Sequence, residues 1–498
     1  MQLLDALRGL PVSPPSSDAE LRGVTHDSRQ VEPGDLFVAL TGARYHGRDH
    51  VAQAAERGAA AFLGEGTAPP GLTLPWAEAS EDPRPLLGEV SARVYGHPDR
   101  ELTLVGVTGT NGKTTTAGLL ARILDEAGRP AGLVGSLGYR FQGHSFPGER
   151  TTPEASDLFR LLRSMRDKGA EAVAMEVSSH ALELGRVSGA AFDLAAFTNL
   201  SRDHFDFHGG FDAYFAAKKS LFAQLKPEGH AVVNLGDAYG RRLVSELREE
   251  LTQGGRRVVT FGRDGDLSID GAELTPRGIR GRVISEELRF SFASPLIGRF
   301  NLENLEAAAA AAVALDLPFG AVQRAFAAQQ PFPGRLEPVG RELELPISVF
   351  VDFAHTDQAL AAALRTVREL VPGPILVVFG CGGDRDPGKR ALMGKVAGEL
   401  SEVPVVTSDN PRMEDPMKII AEVERGLKAS GSTGYRIFPD RREAIRRTIA
   451  ATPPGGAVLI AGKGDEDVQK VGGESLPFSD RQEALGALEE YFGSKARG

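Results

Sequence analysis

The sequence predicts an α/β protein in three domains, and three observations carry that expectation. From residue 101 onward, apolar runs of strand length alternate with helical runs, the pattern of parallel βαβ units. The alternation breaks at Gln329-Gln330-Pro331-Phe332-Pro333-Gly334 and then restarts. A stretch with Pro-rich turns, Pro11 to Ser17, lies ahead of it. The expected domains are therefore a small α/β unit at 1–98, a mostly parallel unit at 99–332 and a second at 333–498. The length of 498 residues suits this, since a domain takes roughly 100–200.

In the first domain, Asp35-Leu36-Phe37-Val38-Ala39-Leu40 reads as a strand opened by the turn residue Gly34, and His50 to Gly58 as a helix. Tyr95-Gly96-His97-Pro98-Asp99 reads as a linker. In the second, Leu102 to Thr108, Ala172 to Val177 and Leu194 to Thr198 are expected strands, and Thr114 to Gly128 a helix. The helix from Asn304 to about Leu315 is nearly all alanine, which suits close packing on a sheet. In the third, strands are expected at Ser348 to Asp352, Ile375 to Phe379, Val403 to Thr407 and Ala457 to Ala461.

Composition excludes several function classes. With 57 Lys+Arg against 67 Asp+Glu the formal charge is −10, which argues against nucleic-acid binding. The single cysteine, Cys381, rules out an intramolecular disulfide and a four-cysteine metal site. No run approaches the roughly 20 apolar residues of a membrane span, so no membrane insertion is expected. Met1-Gln2-Leu3-Leu4-Asp5 has neither the basic flank nor the apolar run of a secretory signal. A cytoplasmic enzyme is the expectation.

The strongest local signal is Gly109-Thr110-Asn111-Gly112-Lys113-Thr114-Thr115-Thr116, between an apolar strand and a helix. Glycines let backbone N–H groups converge on phosphate, and the helix N-terminus adds partial positive charge. Lys113 would reach the terminal phosphates and the Thr114 hydroxyl would ligate Mg²⁺. The spacing departs from the common form of this loop, because Val107 stands where a glycine is usual. No Asn-Lys-x-Asp guanine-reading motif accompanies it, so ATP is expected rather than GTP. Glu176, at the end of an apolar strand, could share the metal by hard oxygen ligation. Asn199 to His208 holds two His and two Asp; it reads as a metal-ligand loop, with a hydrogen-bonded polar turn as the other reading. Lys218 and Lys219, in the helix that follows, read as surface lysines on composition alone.

Several motifs in order span nearly the whole chain: the phosphate loop, Glu176-Val177-Ser178-Ser179-His180, Thr198-Asn199-Leu200-Ser201-Arg202-Asp203-His204, Tyr214-x-x-x-Lys218 and Asn301-x-x-Asn304. Together they resemble the Mur ligases. The resemblance implies a central P-loop ATPase-type domain and a C-terminal Rossmann-like domain behind an N-terminal domain for the UDP-sugar. Asp27-Ser28-Arg29, Thr151-Thr152-Pro153, Gly382-Gly383-Asp384-Arg385-Asp386 and Asp409-Asn410-Pro411-Arg412 are most similar to members adding a third residue to UDP-N-acetylmuramoyl-L-alanyl-D-glutamate.

From the same resemblance come the expected roles. Gly109, Thr110, Asn111, Gly112, Lys113, Thr114 and Thr115 would bind ATP with Asn304, Arg335 and Asp352, and His355 is a weaker candidate. Thr114 and Glu176 would hold one Mg²⁺, and His204 with an N-carbamylated Lys218 a second. Lys113, Glu176, His204 and Lys218 form the catalytic set. Ser28, Ala43, Arg44, Tyr45, Thr151, Thr152, Ser178 and Arg186 would bind the UDP-sugar dipeptide. Arg385, Asp409, Asn410, Pro411, Arg412, Gly462 and Glu466 would form the pocket of the incoming amino acid.

The implied reaction phosphorylates the D-glutamate γ-carboxylate and lets a diamino acid attack the acyl phosphate, in peptidoglycan precursor synthesis by a monomer. Arg412 favours meso-diaminopimelate, whose distal carboxylate suits a guanidinium, with lysine and ornithine left open. A sibling ligase, either the dipeptide-adding Mur type or the folylpolyglutamate type, and a regulatory ATP-binding protein are the rival readings. Five positions depart from the family pattern: Arg150, Leu184, Phe353, Asp357 and Asp465.

Overall fold

A computed structural model describes residues 1–42, 46–146, 148, 150–253, 256–286 and 289–493. Ala43, Arg44 and Tyr45 lie outside them. The chain forms two compact units. One comprises Met1–Asp270, Arg282–Ser291 and Glu303–Phe326; the other comprises Gly271–Gly281, Phe292–Leu302 and Ala327–Gly498. Among the described residues no helix is long and apolar enough to cross a membrane.

The first unit carries two sheets. Strands β1 (Val12–Ser13), β2 (Gly23–Thr25), β3 (Asp35–Ala39), β4 (Ala61–Glu65) and β5 (Trp76–Ala79) pair in the order β1-β5-β4-β3-β2, parallel except for β1. The second sheet contains β6 (Thr103–Thr108), β7 (Ala131–Gly135), β8 (Gly138–Phe141), β9 (His144–Phe146), β10 (Ala172–Glu176), β11 (Phe192–Phe197), β12 (Leu225–Asn234) and β13 (Val258–Phe261). Its order is β13-β12-β11-β6-β10-β7-β8-β9, antiparallel only at β8 and β9. β6, β10 and β11 are almost wholly buried, which is why the sequence shows them as unbroken apolar runs rather than alternations.

Register then positions the chemistry. Glu176 pairs with Val107, and Phe197 with Thr108, so the loops after β10 and β11 flank the loop after β6. Ligands of open α/β sheets bind in the crevice beyond the strands' carboxyl ends.

A three-stranded sheet of β14 (Ser268–Thr275), β15 (Gly278–Ile284) and β16 (Arg289–Ser294) follows. In the second unit, β17 (Glu337–Val339), β18 (Ser348–Asp352), β19 (Ile375–Phe379), β20 (Val403–Val406), β21 (Arg436–Ile437) and β22 (Ala457–Ala461) pair as β17-β18-β22-β19-β20-β21. All but β17 are parallel. A hairpin of β23 (Val468–Val471) and β24 (Glu474–Pro477) follows β22.

Two expected elements differ. Tyr95 to Asp99 is no loose linker: Pro98–Glu101 forms a helical turn, and Asp99, fully buried, accepts the Ala191 N–H at 3.1 Å. Proline pre-sets the first helical φ, so the segment is rigid where composition suggested a loop. The alanine-rich helix begins earlier than expected, at Arg299, and runs to Ala314. Asn301 and Asn304 are thus helical and buried, and Ala307 to Ala312 are fully enclosed.

Candidate functional site

The phosphate loop is shaped by two glycines. Gly109 has φ 149° and Gly112 φ 85°, both in the region that favours glycine. A Cβ at Gly109 would strike the Thr198 hydroxyl and one at Gly112 the Asn304 carboxamide oxygen. Gly112 caps the helix Lys113–Glu126, whose N-terminus therefore opens onto the loop. The Lys113 ammonium bridges the carbonyls of Gly109 and Thr110, both at 2.9 Å.

Thr114 donates its hydroxyl to Glu176 Oε2 at 2.9 Å and lies 3.0 Å from the Ser136 hydroxyl. Ser136 holds the other carboxylate oxygen through its N–H at 2.8 Å and its hydroxyl at 3.0 Å. Glu176 is only 2% exposed, so this oxygen-rich group is fixed. On the loop's other side Thr198 donates to Asn111 O at 2.6 Å, while Asn199 Oδ1 accepts the Asn111 N–H at 2.9 Å. Thr115 is buried in the first helical turn, and Asn304 accepts from Thr116 at 3.4 Å.

Lys218 is not the surface residue that composition suggested. It is 1% exposed, donates to Gly109 O at 2.7 Å and lies over the Tyr214 ring at 4.4 Å. Burial drives its ammonium well below the usual lysine range and the charge of Lys113 adds to this, against an opposing pull from Asp203. Lys219 fits the composition reading, with a half-exposed ion pair to Glu246. The loop read as a metal-ligand set divides: His208 is buried, with Nε2 3.0 Å from the Ser179 hydroxyl, whereas His204 is exposed and stacks edge-on against His180. Among the described residues no three His, Cys, Asp or Glu side chains converge on one metal position. His204 and His208 both lie against the Tyr214 ring, at 6.4 Å and 5.0 Å between centroids.

Of the residues expected to bind the UDP-sugar dipeptide, Ser28 is buried and donates to Gln53 Oε1 at 2.7 Å. Thr152 donates to Glu176 O at 2.9 Å and accepts the Ser178 N–H at 3.1 Å, so its hydroxyl ties its own loop to the end of β10. Ser178 caps the helix Ser179–Glu183, and Thr151 lies beside Thr152, partly exposed. Arg186 pairs with the buried Glu154 at 2.9 Å, and Arg150 reaches the same carboxylate at 2.7 Å. Arg84 lies 3.9 Å from the other carboxylate oxygen, so the departure at Arg150 adds a third cation to Glu154. Leu184 ends that short helix as its C-cap residue.

In the second unit, four loops leave the carboxyl ends of adjacent strands. Asp352 ends β18 and accepts the N–H groups of Leu336 at 2.6 Å and Ala354 at 2.8 Å; burial raises its carboxyl above the usual range. The Arg335 guanidinium stacks on Phe353 at 5.0 Å, a contact that the phenylalanine departure supplies with an apolar face. His355 is exposed. Asp357 stands in the first turn of the helix Asp357–Leu370, where a carboxylate suits the helix dipole as well as the replaced proline suits its geometry.

After β20, Asn410 Nδ2 donates to Glu466 Oε2 at 2.7 Å, and the Asn410 N–H to Asp409 Oδ1 at 2.7 Å. Pro411 leads to Arg412, a non-glycine residue at φ 53°, whose guanidinium donates to Gly383 O at 2.7 Å. Gly462 (φ 121°) abuts Asp409, where a Cβ would meet the carboxylate. Arg385 is exposed and so is Asp465.

Three family models match the chain: "Mur ligase family, catalytic domain" at residues 20–95, "Mur ligase middle domain" at 107–312 and "Mur ligase, glutamate ligase domain" at 334–464. A Streptomyces coelicolor protein described as UDP-N-acetylmuramoyl-L-alanyl-D-glutamate–2,6-diaminopimelate ligase is 43% identical, covering 97% of this chain and 96% of its own. A Geobacter metallireducens protein of the same description is 41% identical, covering 96% of each chain. The chain belongs to the Mur ligase family. A solved structure of a ligase of that same description is 32% identical, with a TM-score of 0.71 over 94% of this chain and 95% of that one. The Thermotoga maritima MurF ligase in complex with ADP shares the fold at 20% identity, with a TM-score of 0.61 over 96% of this chain and 99% of its own.

In this Mur ligase several side chains in the loop's surroundings carried no individual expectation. Ser136 and Glu154 stand outside every motif quoted from the sequence, and only their contacts mark them. Thr198, Asn199 and Tyr214 lie inside quoted motifs, and hydroxyl and amide groups in a stretch after an apolar strand were the available signal. Lys463 sits in the Gly462 to Glu466 run and was hidden because a lysine normally reads as surface.

Proposed function

We propose that this Mur ligase is an ATP-dependent ligase joining meso-diaminopimelate to the D-glutamate γ-carboxylate of UDP-N-acetylmuramoyl-L-alanyl-D-glutamate. The observation that carries the reading is the joined set of Lys113, Thr114 and Glu176 at the N-terminus of one helix. A carboxylate is a poor electrophile. Transfer of the ATP γ-phosphoryl group to a carboxylate oxygen, with ADP leaving, gives an acyl phosphate. The neutral amine then attacks the acyl carbon and phosphate departs with the oxygen. Lys113 and the loop N–H groups stabilise charge on the transferring group, and positioning and electrostatics supply most of the acceleration in such reactions.

Mg²⁺ fits the Thr114–Glu176 group, because hydroxyl and carboxylate oxygens are the hard donors it takes. Bound there, it would neutralise phosphate charge. Carbamylation fits Lys218: an enclosed amine disfavoured as an ammonium is the nucleophile CO₂ requires. With His204, the carbamate would hold a second Mg²⁺. Ser28, Thr151, Thr152, Ser178 and Arg186 would receive the UDP-sugar dipeptide. Asn304, Arg335 and Asp352 would contact the nucleotide. The enzyme would act as a cytoplasmic monomer.

The choice of diaminopimelate is supported by the relatives' descriptions and by Arg412. Gly383 O fixes one side of its guanidinium, and the other donors have no partner among the described residues. Those donors suit a distal carboxylate, which diaminopimelate has and lysine and ornithine lack. The test is phosphate release from ATP with the UDP-sugar dipeptide and each amino acid in turn. Release with diaminopimelate at well above the rate for lysine or ornithine is expected. Faster turnover with either of those would replace the third residue, and release only with folate would replace the substrate class.

A further inference from the structure

Lys463 has no role in the reaction as described so far. Its side chain is fully buried on the loop after β22, and its ammonium donates three bonds: to Asn410 Oδ1 at 3.1 Å, Glu466 Oε2 at 2.9 Å and Val468 O at 2.6 Å. All three of its N–H groups are thus satisfied, the condition for keeping a charge inside a protein. Asn410 is used on both sides, since its Oδ1 also accepts the Lys470 N–H at 2.9 Å while its Nδ2 donates to Glu466 Oε2 at 2.7 Å. Glu466 Oε2 therefore accepts twice. The other oxygen has no partner among the described residues, on a side chain 37% exposed.

We propose that Lys463 is a positioning residue for the incoming amino acid: by tying Asn410 to Glu466 it sets the direction and the charge of the free Glu466 oxygen, which receives a substrate ammonium. The proposal rests on the reading of Asp409 to Arg412 and Gly462 to Glu466 as the amino-acid pocket. It explains why a buried cation stands between two residues of that pocket rather than a hydrophobic side chain of the same volume.

Burial alone would raise the Glu466 carboxyl, but hydrogen bonds from Lys463 and Asn410, with the charges of Lys463 and Arg412, hold it below its usual range. Asp409 and the buried Arg441 are the other charged groups that act on this site, with Asp480 paired to Arg441. Removing the Lys463 charge lets Glu466 rise, so the acid limb of kcat/KM for the amino acid moves to higher pH.

The experiment compares wild type, Lys463→Met, Glu466→Gln and the double variant with ATP, UDP-sugar dipeptide and diaminopimelate. In Lys463→Met the KM for diaminopimelate is expected to rise about tenfold to a hundredfold, the effect of losing a charge-assisted hydrogen bond. The KM values for ATP and for the dipeptide stay near wild type, the acid limb shifts upward, and adding Glu466→Gln costs little more. An active, folded Lys463→Met enzyme with an unchanged KM for diaminopimelate and an unmoved acid limb overturns the proposal. Where that variant does not fold, Lys463→Arg decides: a raised KM with the acid limb in place supports it, and a wild-type KM overturns it. A wild-type protein that releases no phosphate with any amino acid sinks the ligase reading instead, before any variant is compared.

Discussion

At the scale of single residues, the phosphate loop is the most constrained part of the chain. Gly112 combines φ 85° with an Asn304 oxygen in the space a Cβ would take, so Gly112→Ala meets both strain and a clash. Lys113→Ala keeps the backbone and removes the cation. It is expected to lower turnover by about a hundredfold to a thousandfold, the scale of losing one electrostatic stabiliser, with a thermal midpoint close to wild type. Phosphate release and a melting curve check both halves, and full activity would remove Lys113 from the chemistry. Thr152→Val tests a different kind of residue. Its hydroxyl both donates to Glu176 O and accepts from Ser178 N–H inside the core, and valine leaves both groups unpaired. A stability loss of about 1–3 kcal/mol is expected by denaturant unfolding. The sequence marked Lys113 because its neighbours form a loop of recognisable spacing. Composition gave Lys218 no such mark, since burial depends on Tyr214 and the loop packing around it.

At the scale of elements, legibility follows how local the determinant is. The core strands at Thr103–Thr108, Ala172–Glu176 and Ile375–Phe379 show as apolar runs because both faces are covered. The start of the helix at Arg299 was harder to read, because its first turn carries polar residues whose burial is decided by distant chain. Within this helix Ala309 is fully enclosed, so Ala309→Leu overpacks and is expected to cost about 1–3 kcal/mol in denaturant unfolding. Glu306, one turn earlier, accepts the Ile269 N–H at 2.9 Å, and burial raises its carboxyl to about 7, with Glu303 adding to the shift. A carboxyl raised in the folded state favours folding when protonated, so stability falls as pH climbs from the unfolded value through about 7. Glu306→Gln keeps an acceptor without the charge. It is expected to match wild type near pH 4 and to melt higher than wild type near pH 8. Melting curves at both pH values decide it, and a variant less stable at the higher pH would refute the assignment.

At the scale of the whole molecule, composition argued against a membrane span and against nucleic-acid binding, and motif order carried the family. What it could not carry was the partition of the chain, since Gly271–Gly281 and Phe292–Leu302 belong to the second unit although they precede parts of the first in sequence. That partition makes a prediction about linked stability. Lys113, Thr114, Glu176 and Lys218 all lie in the first unit, whereas Arg412, Lys463 and Glu466 all lie in the second. A ligand that binds only the folded form stabilises by about 2.7 kcal/mol at a hundred times its dissociation constant. In the first unit, with its larger unfolding entropy, that is a rise of roughly 4 °C, and in the smaller second unit roughly 5–10 °C. An ATP analogue with Mg²⁺ should therefore raise a calorimetric transition of the wild type, and Lys113→Ala should lose most of that rise. Diaminopimelate alone should produce its own, smaller shift, which Lys113→Ala leaves intact and Lys463→Met reduces. Loss of the diaminopimelate shift in Lys113→Ala would mean that the two sets of residues do not act on separate ligands, and the assignment of Asp409 to Arg412 as the amino-acid pocket would have to be redrawn.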